Sequence, residues 1–195
     1  MSAFGADYFR RYYFDPATRV TDAAEMRSRA AVMLAVMRQA QVPVRRILDA
    51  GCGVGLLRRP LSVLAPRARY TGLEASDYLC GRYGWTQGSV VDHRARTPYD
   101  LVICYDVLQY LSDAEASRAL ANLATLTRGG LYFSALTRDD WRNNCDKSRT
   151  DRAVHLRPGA WYIRRLQRRF RYLGVGVWLR RDVSAMLWEL ERPWR

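Results

Sequence analysis

The sequence has few cysteines, almost no lysine and no long apolar run. Its four cysteines are widely spaced and form no C-x-x-C pair, which argues against a zinc site and against a disulfide framework. No stretch of about 18 consecutive apolar residues occurs, so no membrane-spanning helix and no membrane partner are predicted. The amino terminus carries charges and lacks the apolar core of a secretory signal, so we expect a cytoplasmic protein.

The positive charge of the chain comes almost entirely from arginine. Lys147 is the single lysine among 32 basic residues, and the net charge is +13. Residues 138–195 carry 15 basic and 7 acidic residues, so the excess is concentrated in the carboxyl-terminal part. Such a charge attracts nucleic acids, but a bias towards arginine also follows from genome base composition. A nucleic acid is therefore an alternative partner and not the favoured one.

Apolar periodicity and turn residues divide the chain into alternating helices and strands. Ser112 followed by Glu115 has the spacing of a capping box and marks a helix start. Gly129 and Gly130 are predicted to end that helix. The predicted helices span residues 22–41, 76–84, 112–127 and 158–173, with one more near Pro60, and the predicted strands span 47–49, 69–74, 85–91, 99–104, 131–136, 175–179 and 185–190.

The most informative stretch is residues 47–55, Ile-Leu-Asp-Ala-Gly-Cys-Gly-Val-Gly. An apolar strand ends in Asp49, and glycines follow at alternate positions. Glycine lets a backbone turn sharply and lets a ligand approach it closely. Open α/β sheets bind their ligands at the carboxyl ends of the strands. A second predicted strand, 69–74, ends in Glu74, which is placed to accept hydrogen bonds from a ribose diol.

The pattern D-x-G-x-G-x-G, followed by a strand that ends in an acid, resembles the class I S-adenosylmethionine-dependent methyltransferases. The resemblance covers residues 45–137 well and the rest loosely. It implies S-adenosylmethionine as cofactor, with S-adenosylhomocysteine as its product. It also implies a Rossmann-like α/β fold: a seven-stranded, mostly parallel sheet with an antiparallel last strand, and helices on both faces in three αβα layers. The glycine spacing argues against a nicotinamide cofactor.

The resemblance also implies the cofactor contacts of the first two strands. In that family the glycine turn lies under the methionine part of the cofactor, and the acid that ends the second strand holds the ribose. Carried over, Asp49, Gly51 and Gly53 line the cofactor, and Glu74 binds the ribose hydroxyls.

Ser89 stands where that family usually has an aspartate that receives the adenine amino group. A serine hydroxyl can also accept this hydrogen bond, so Ser89 and Val90 are predicted cofactor contacts. Asp92, three residues further on, is the alternative. Trp85 or Tyr78 could stack on the adenine, but a ring in such a position more often belongs to the core.

The segment after the fourth strand resembles the family's stretch between cofactor and substrate. There, the backbone of the first residues meets the cofactor and later side chains reach the substrate. The resemblance therefore implies Cys104 and Tyr105 as cofactor contacts. Asp106 and Tyr110 are candidates for substrate contact or catalysis, with a core position as the alternative for Tyr110.

Two segments are long enough to build a substrate pocket: the aromatic amino terminus and the polar loop 138–157. The amino-terminal aromatic residues either cover the cofactor or pack the first helix on the sheet. His155, in the polar loop, is a candidate general base because histidine titrates near neutral pH. Asp106 with Asp139 or Asp140 resembles a metal-binding carboxylate set, but loop carboxylates are usually solvated, so no metal site is predicted.

The whole chain, 1–195, is interpreted as a single methyltransferase domain. Its parts are an amino-terminal helical or lid segment, a cofactor-binding core, and a substrate-side loop, helix and strand pair, over residues 1–42, 43–137 and 138–195. The leading hypothesis is an enzyme that methylates a hydroxyl, carboxyl or amine of a small molecule. The alternatives are an RNA or protein methyltransferase that uses the arginine-rich carboxyl-terminal part, and a non-catalytic S-adenosylmethionine-binding protein.

Overall fold

The computed structural model describes residues 4–191, so the extreme ends of the predicted domain lie outside the described residues. The strands are β1 (Arg46–Ala50), β2 (Arg69–Glu74), β3 (Thr86–Gln87), β4 (Tyr99–Tyr105), β5 (Thr127–Ser134), β6 (Phe170–Gly174) and β7 (Val177–Arg180). They form one sheet in the order β3-β2-β1-β4-β5-β7-β6. Neighbours from β3 to β5 pair parallel, and β7 runs antiparallel to both β5 and β6. The predicted fold class is confirmed.

Helices cover both faces of this sheet. They are α1 (Ala6–Phe9), α2 (Ala23–Gln39), α3 (Arg58–Leu64), α4 (Asp77–Tyr83), α5 (Asp113–Leu126), α6 (Arg138–Asn143) and α7 (Gly159–Leu166). α1 continues into a π-helical turn, Arg10–Phe14. α2 and α3 pack on one face around Ile47 and Ile103, and α5 and α7 pack on the other around Leu48 and Val102. Within residues 4–191, no helix has both the length and the apolarity needed to cross a membrane.

Capping residues set several helix boundaries as the sequence predicts. Ser112 accepts a hydrogen bond from the Glu115 N–H, and the Glu115 carboxylate accepts one from the Ser112 N–H, so the capping box before α5 is present. The Ser76 hydroxyl accepts from the Leu79 N–H at the start of α4. Gly84 ends α4 with φ of +68°, a conformation that glycine adopts without a steric penalty.

Gly129 and Gly130 do not end a helix, and that prediction is wrong. α5 ends at Leu126, and both glycines lie inside β5. A Cβ at Gly129 would stand 2.3 Å from the carbonyl oxygen of Asp100, and one at Gly130 would stand 2.4 Å from Met37 Sδ. Close tertiary approach requires the two glycines here, and a local sequence pattern cannot distinguish that requirement from a helix stop.

The carboxyl-terminal elements also differ from the prediction. The helix predicted over 158–173 ends at Leu166. The strand predicted over 175–179 corresponds to β7, but its hairpin partner is β6 and not a strand over 185–190. Phe170, which lies within the predicted helix range, is buried in β6. The alternation of Phe170, Arg171 and Tyr172 fits a strand as well as a helix, and sheet pairing decides the outcome. The arginines of residues 158–173 are therefore divided among α7, a turn and β6.

The third strand, predicted over 85–91, contains only Thr86 and Gln87. The loop predicted over 138–157 contains α6, which begins at a capping box formed by Thr137 and Asp140. The segment ends beside the residues that follow β5, where Thr137 and Arg157 form an isolated bridge.

Candidate functional site

The glycine turn after β1 has a backbone that only glycine adopts without strain. Gly51 and Gly53 have positive φ angles of +83° and +52°. The Gly51 N–H donates to the carbonyl of Leu73 at 2.8 Å, which fixes the turn beside β2. A Cβ at Gly51 would stand 2.3 Å from Val107 Cγ2, whereas one at Gly53 would meet no atom within 4 Å. The turn is therefore tightly packed at Gly51 and faces open space at Gly53.

Glu74, at the end of β2, holds the glycine turn through its carboxylate. Its Oε2 accepts from the Gly53 N–H at 2.8 Å, and its Oε1 accepts from the N–H groups of Ala75 and Ser76 at 2.8 and 3.0 Å. An ionised carboxylate offers about four acceptor positions. Three backbone donors therefore leave capacity for a further donor from a ligand.

Two cavities adjoin this turn and a third shares wall residues with both; each is named here after residues in its wall. The Glu74 cavity has a volume of about 120 Å³ and is lined by Gly51, Gly53 and Glu74. Val90 and Leu111 are among the apolar side chains in its wall. The cavity therefore combines a carboxylate on one side with apolar contacts on the other.

The Asp49 cavity, of about 80 Å³, lies on the other side of the turn and contains Asp49, Gly51 and Gly53 in its wall. Asp49 is 3% exposed, and its Oδ2 accepts from the Tyr70 hydroxyl at 2.7 Å. Burial raises the pKa of Asp49 to about 7 against the effect of this hydrogen bond, and the nearby charge of Glu74 adds to the rise.

The tyrosine cavity, of about 430 Å³, lies between the amino-terminal segment and residues 144–151. Four tyrosines line it: Tyr8, Tyr12, Tyr13 and Tyr110. Tyr13 and Asp106 line this cavity, the Glu74 cavity and the Asp49 cavity alike. These two residues therefore mark the place where the three cavities meet.

The amino-terminal aromatic residues cover the Glu74 cavity. Its wall includes Phe4, Tyr8, Phe9 and Tyr13. The hydroxyls of Tyr8 and Tyr110 are 2.9 Å apart, and the Ser76 hydroxyl donates to the Phe4 carbonyl at 2.7 Å. These bonds tie the segment to both sides of the cavity. These rings therefore form part of the cavity wall, and their role as a cover over the cofactor stays a prediction.

Asp106 has a backbone φ of +55°, which is uncommon for residues other than glycine and best tolerated by Asp and Asn. Its N–H donates to the Ser134 carbonyl at 3.0 Å, which fixes it at the carboxyl ends of β4 and β5. Burial raises the pKa of Asp106 to about 6, and the charge of Arg29 opposes the rise. A carboxylate with such a pKa is a suitable proton acceptor near neutral pH.

The other predicted cofactor contacts fall in different places. Ser89 and Val90 line the Glu74 cavity, whereas Asp92 is exposed and lines none of the three cavities. The Ser89 hydroxyl accepts from the Val91 N–H at 3.1 Å. Tyr105 lines the Asp49 cavity. Cys104 is buried in β4 and lines none of the three.

The two rings considered for adenine stacking do not line these cavities. Trp85 lies behind the glycine turn, and its Nε1 donates to the Gly53 carbonyl at 2.9 Å. Its ring would stand 2.6 Å from a Cβ at Gly55. Tyr78 stacks on Phe9 with ring centroids 6.1 Å apart. Both rings support the site from outside it.

The catalytic candidates are also separated by the structure. Asp106 and Tyr110 line the tyrosine cavity, and burial raises the pKa of Tyr110 to about 12. His155 is exposed and lines none of the three cavities. Its backbone N–H donates to the backbone carbonyl of Gln109 at 2.7 Å. The structure therefore does not bring His155 to the junction of the cavities.

The carboxylates considered as metal ligands are not assembled. Asp140 accepts hydrogen bonds from Thr137 at the start of α6, and neither Asp139 nor Asp140 shares a cavity wall with Asp106. Across residues 4–191, no group of three His, Cys, Asp or Glu side chains is arranged to hold a metal ion.

Sequence reasoning missed Tyr13, Tyr70, Gln109 and Arg157 as individual site residues. Arg157 is 3% exposed; its Nε bonds Asp113 at 2.7 Å and its Nη1 bonds the Leu108 carbonyl at 2.9 Å. It thereby fixes the turn that follows Asp106. No sequence signal separates this buried arginine from the many exposed ones, and the tyrosines had no distinguishing spacing.

A larger cavity, of about 890 Å³, lies at the opposite edge of the sheet, where β4 and β5 begin. We call it the arginine groove because its wall contains Arg128, Arg165, Arg168, Arg169 and Arg180. Arg128 and Arg180 are ion-paired with Asp100 and Asp182. The groove shares no wall residue with the three cavities at the glycine turn.

A protein-family model described as a methyltransferase domain matches residues 48–132, which contain the glycine turn and Glu74. The ubiquinone biosynthesis O-methyltransferase of Xanthomonas campestris pv. campestris (strain B100) is 30% identical to this chain, over 82% of the chain and 72% of that enzyme. This chain belongs to the class I S-adenosylmethionine-dependent methyltransferases. S-adenosylmethionine is the methyl donor of this family, so the predicted family and cofactor are confirmed.

Two further comparisons define how far the likeness extends. The ubiquinone biosynthesis O-methyltransferase of Bordetella bronchiseptica (strain ATCC BAA-588 / NCTC 13252 / RB50) is 33% identical over 109 residues, and the match spans 44% of that enzyme's length and 49% of this chain. The magnesium protoporphyrin IX methyltransferase of Synechocystis PCC 6803, solved with bound S-adenosylhomocysteine, matches with a TM-score of 0.64 and 20% identity, over 89% of this chain and 93% of that one. At that identity the second likeness shows the fold.

Proposed function

We propose that the protein transfers a methyl group from S-adenosylmethionine to a small molecule held in the tyrosine cavity. The observation that carries the proposal is the position of Tyr13 and Asp106, which line the Glu74, Asp49 and tyrosine cavities together. A donor in the first two cavities and an acceptor in the third would meet at these residues. Methyl transfer depends largely on such placement and on excluding water.

The residues around the glycine turn are chemically suited to the donor. Glu74 has acceptor capacity left for ribose hydroxyls, and open space faces Gly53 where a side chain would otherwise stand. Ser89 and Val90 would hold the adenine end, beside the apolar wall of the Glu74 cavity. When bound, S-adenosylmethionine supplies an electrophilic methyl group on its sulfonium sulfur.

The methionine end of the donor would lie in the Asp49 cavity. Asp49, Gly51 and Tyr105 line this cavity. The backbone of Cys104 is a further proposed contact at the end of β4. The charge of Asp49 would favour a cationic group of the donor, since a carboxylate buried beside Glu74 is stabilised by a positive partner.

The methyl acceptor in this proposal is a hydroxyl, carboxyl or amine of a small molecule. A cavity of about 430 Å³ is of the size that holds small ligands, roughly 300–1,000 Å³. The two curated relatives described above are named O-methyltransferases, so oxygen acceptors are tested beside amines.

The donor site is tested by replacing its two acids separately. We expect Asp49→Ala and Glu74→Ala each to weaken the binding of S-adenosylhomocysteine, measured by calorimetry, by more than about tenfold, or 1.4 kcal/mol. Asp182→Ala is the control, because Asp182 is exposed and pairs with Arg180 away from the three cavities. Unchanged affinity in both site variants would contradict the assignment. Tight binding without any labelled product from a metabolite pool would instead indicate a non-catalytic binding protein.

The arginine groove supports an RNA methyltransferase as the second candidate. Its cations include Arg165, and the repulsion of Arg168 and Arg164 adds to the burial that lowers the pKa of Arg165. A salt titration of RNA binding decides between the candidates, because phosphate contacts lose affinity steeply as salt rises. Weak binding with a shallow salt dependence would leave the small-molecule enzyme.

A further inference from the structure

We propose that the tyrosine cavity takes an amine, bound as an ammonium ion, and that Asp106 accepts the proton that the amine loses before methylation. The inference rests on the proposed methyl transfer and specifies its acceptor. Three observations support it: the charge of the cavity wall, the tyrosine rings, and the acceptor groups beside the junction.

The wall of the tyrosine cavity is acidic in a strongly basic protein. It contains Asp106, Asp146 and Asp151 but two arginines only, Arg19 and Arg149. Arg149 pairs with Asp146 at 3.7 Å, and Arg19 pairs with Asp22 outside the wall, at 3.6 Å. Among the described residues Asp151 has no ion-pair partner, and Asp106 has none either, although the more distant charge of Arg29 acts on it. The whole chain carries +13, so this cavity is a local exception that attracts cations and repels carboxylates.

Tyrosine rings make up much of the remaining wall. The Tyr8 ring lies 4.9 Å from the Tyr12 ring and 6.4 Å from the Tyr13 ring, and the Tyr110 hydroxyl bonds that of Tyr8. Aromatic faces attract cations, and groups of them recognise ammonium ligands. A nearby carboxylate, here Asp106, adds to that attraction. A carboxylate ligand would gain nothing from these faces.

Acceptor groups with unused hydrogen-bonding capacity lie beside the junction. Gln109 lines the cavity and is 4% exposed, and its Oε1 has no hydrogen-bond partner among the described residues. Buried carbonyl oxygens are almost always paired. An ammonium offers three N–H donors, a hydroxyl offers one and a carboxylate offers none. The amine therefore satisfies the acceptors Asp106 and Gln109 most fully.

The ammonium gives one proton to the Asp106 carboxylate, which leaves a nitrogen lone pair. That pair forms the new N–C bond while the donor's C–S bond breaks, and the electrons of the broken bond stay on sulfur. The product is a methylated ammonium and a neutral thioether, and Asp106 releases its proton to water. The titratable or charged groups around Asp106 are Arg29, Glu25, Tyr105, Tyr13 and Tyr110.

Three ligands of similar shape test the inference: benzylamine, benzyl alcohol and benzoate. Each is titrated by calorimetry into the full chain loaded with S-adenosylhomocysteine. We expect benzylamine to bind at least about tenfold more tightly than either of the others. Equal binding of the three, no binding by any, or a preference for benzyl alcohol or benzoate would overturn the inference. Loading with S-adenosylhomocysteine is measured first, so failure of the donor site is seen separately.

Asp106→Asn provides the matched variant, because Asn tolerates the positive φ of this position as well as Asp does. It should abolish the preference for benzylamine while S-adenosylhomocysteine still binds. Asp182→Asn is the control and should keep the preference. Methyl transfer to benzylamine should also fall below about pH 6 in the unsubstituted protein, as Asp106 becomes protonated. An Asp106→Asn variant that retains both the preference and this pH profile would overturn the role of Asp106.

Discussion

Replacing Glu74 with Gln changes one atom of the site and should weaken both folding and cofactor binding. Both carboxylate oxygens of Glu74 accept backbone N–H groups: Oε2 from Gly53, and Oε1 from Ala75 and Ser76. A glutamine amide has one oxygen and an NH₂ group that can only donate. Whichever way the amide turns, it places a donor against at least one backbone N–H. The amide should turn so that its oxygen keeps the Ala75 and Ser76 donors, because the loss is then confined to Gly53.

The size of the effect follows from the burial of this position. Glu74 is 8% exposed, so an N–H group that loses it has little access to water. Leaving one buried donor unpaired costs about 1–3 kcal/mol, and we expect Glu74→Gln to lower the free energy of unfolding by about this amount. The displaced donor, Gly53, belongs to the turn that faces the cofactor. We therefore expect the dissociation constant of S-adenosylhomocysteine to rise at least about tenfold, or 1.4 kcal/mol.

Urea unfolding measures the first quantity and calorimetry the second. Glu115→Gln is the matched control, because it makes the same chemical change in a capping box that accepts either Glu or Gln. It should leave the affinity for S-adenosylhomocysteine unchanged. The reasoning is refuted if Glu74→Gln keeps the original affinity, or if its losses do not exceed those of Glu115→Gln.

Three further substitutions test other parts of the site. The pKa of Asp49 is raised to about 7 in the folded protein, so the stability that its protonated form provides is lost as pH rises through 7. The difference in free energy of unfolding between Asp49→Asn and the original protein should therefore shift by about 2–3 kcal/mol in favour of the variant from pH 5 to pH 7. Equal shifts in melting temperature at both pH values would contradict this. Gly51→Ala should lose about 1–3 kcal/mol by urea unfolding, whereas Gly81→Ala, in α4 with no atom within 4 Å of the added Cβ, should not; similar losses in both would remove the steric argument. Arg157→Met should cost about 3–5 kcal/mol in the same assay and exposed Arg152→Met almost nothing, and a stable Arg157→Met protein would show that this arginine does not fix the turn.

Local signals predicted the part of the fold that local physics determines. The second strand was predicted over 69–74 and has those bounds, because its ends are set by a charged start and by the acid that holds the turn. The capping box before α5 and the glycine after α4 act within a few residues of chain, so a short sequence pattern is sufficient to predict them. The wrong predictions concern positions where the residue type is required by a neighbour that is distant in the sequence.

Gly129, Gly130 and Phe170 show why. The two glycines are required by the approach of Asp100 and Met37, which are far away in the sequence. Phe170 belongs to a strand because it pairs with β7. The partner strand lies outside residues 158–173, so the apolar periodicity of that segment gives no information about it. The candidate site divides in the same way. The motif identified the side that faces the donor, whereas the tyrosine cavity is formed by the amino-terminal segment, Asp106 and residues 144–151, which only the fold brings together.

The position of Tyr8 and Tyr13 couples ligand binding in the Glu74 cavity to ligand binding in the tyrosine cavity. Both residues line the Glu74 cavity and the tyrosine cavity, so one short helical segment forms part of two binding walls. Helices of so few residues are not stable in isolation and depend on their contacts. A ligand that orders this segment from one cavity therefore lowers the entropic cost of binding a ligand in the other cavity. Because such coupling is reciprocal, the factor by which the donor strengthens acceptor binding must equal the factor by which the acceptor strengthens donor binding.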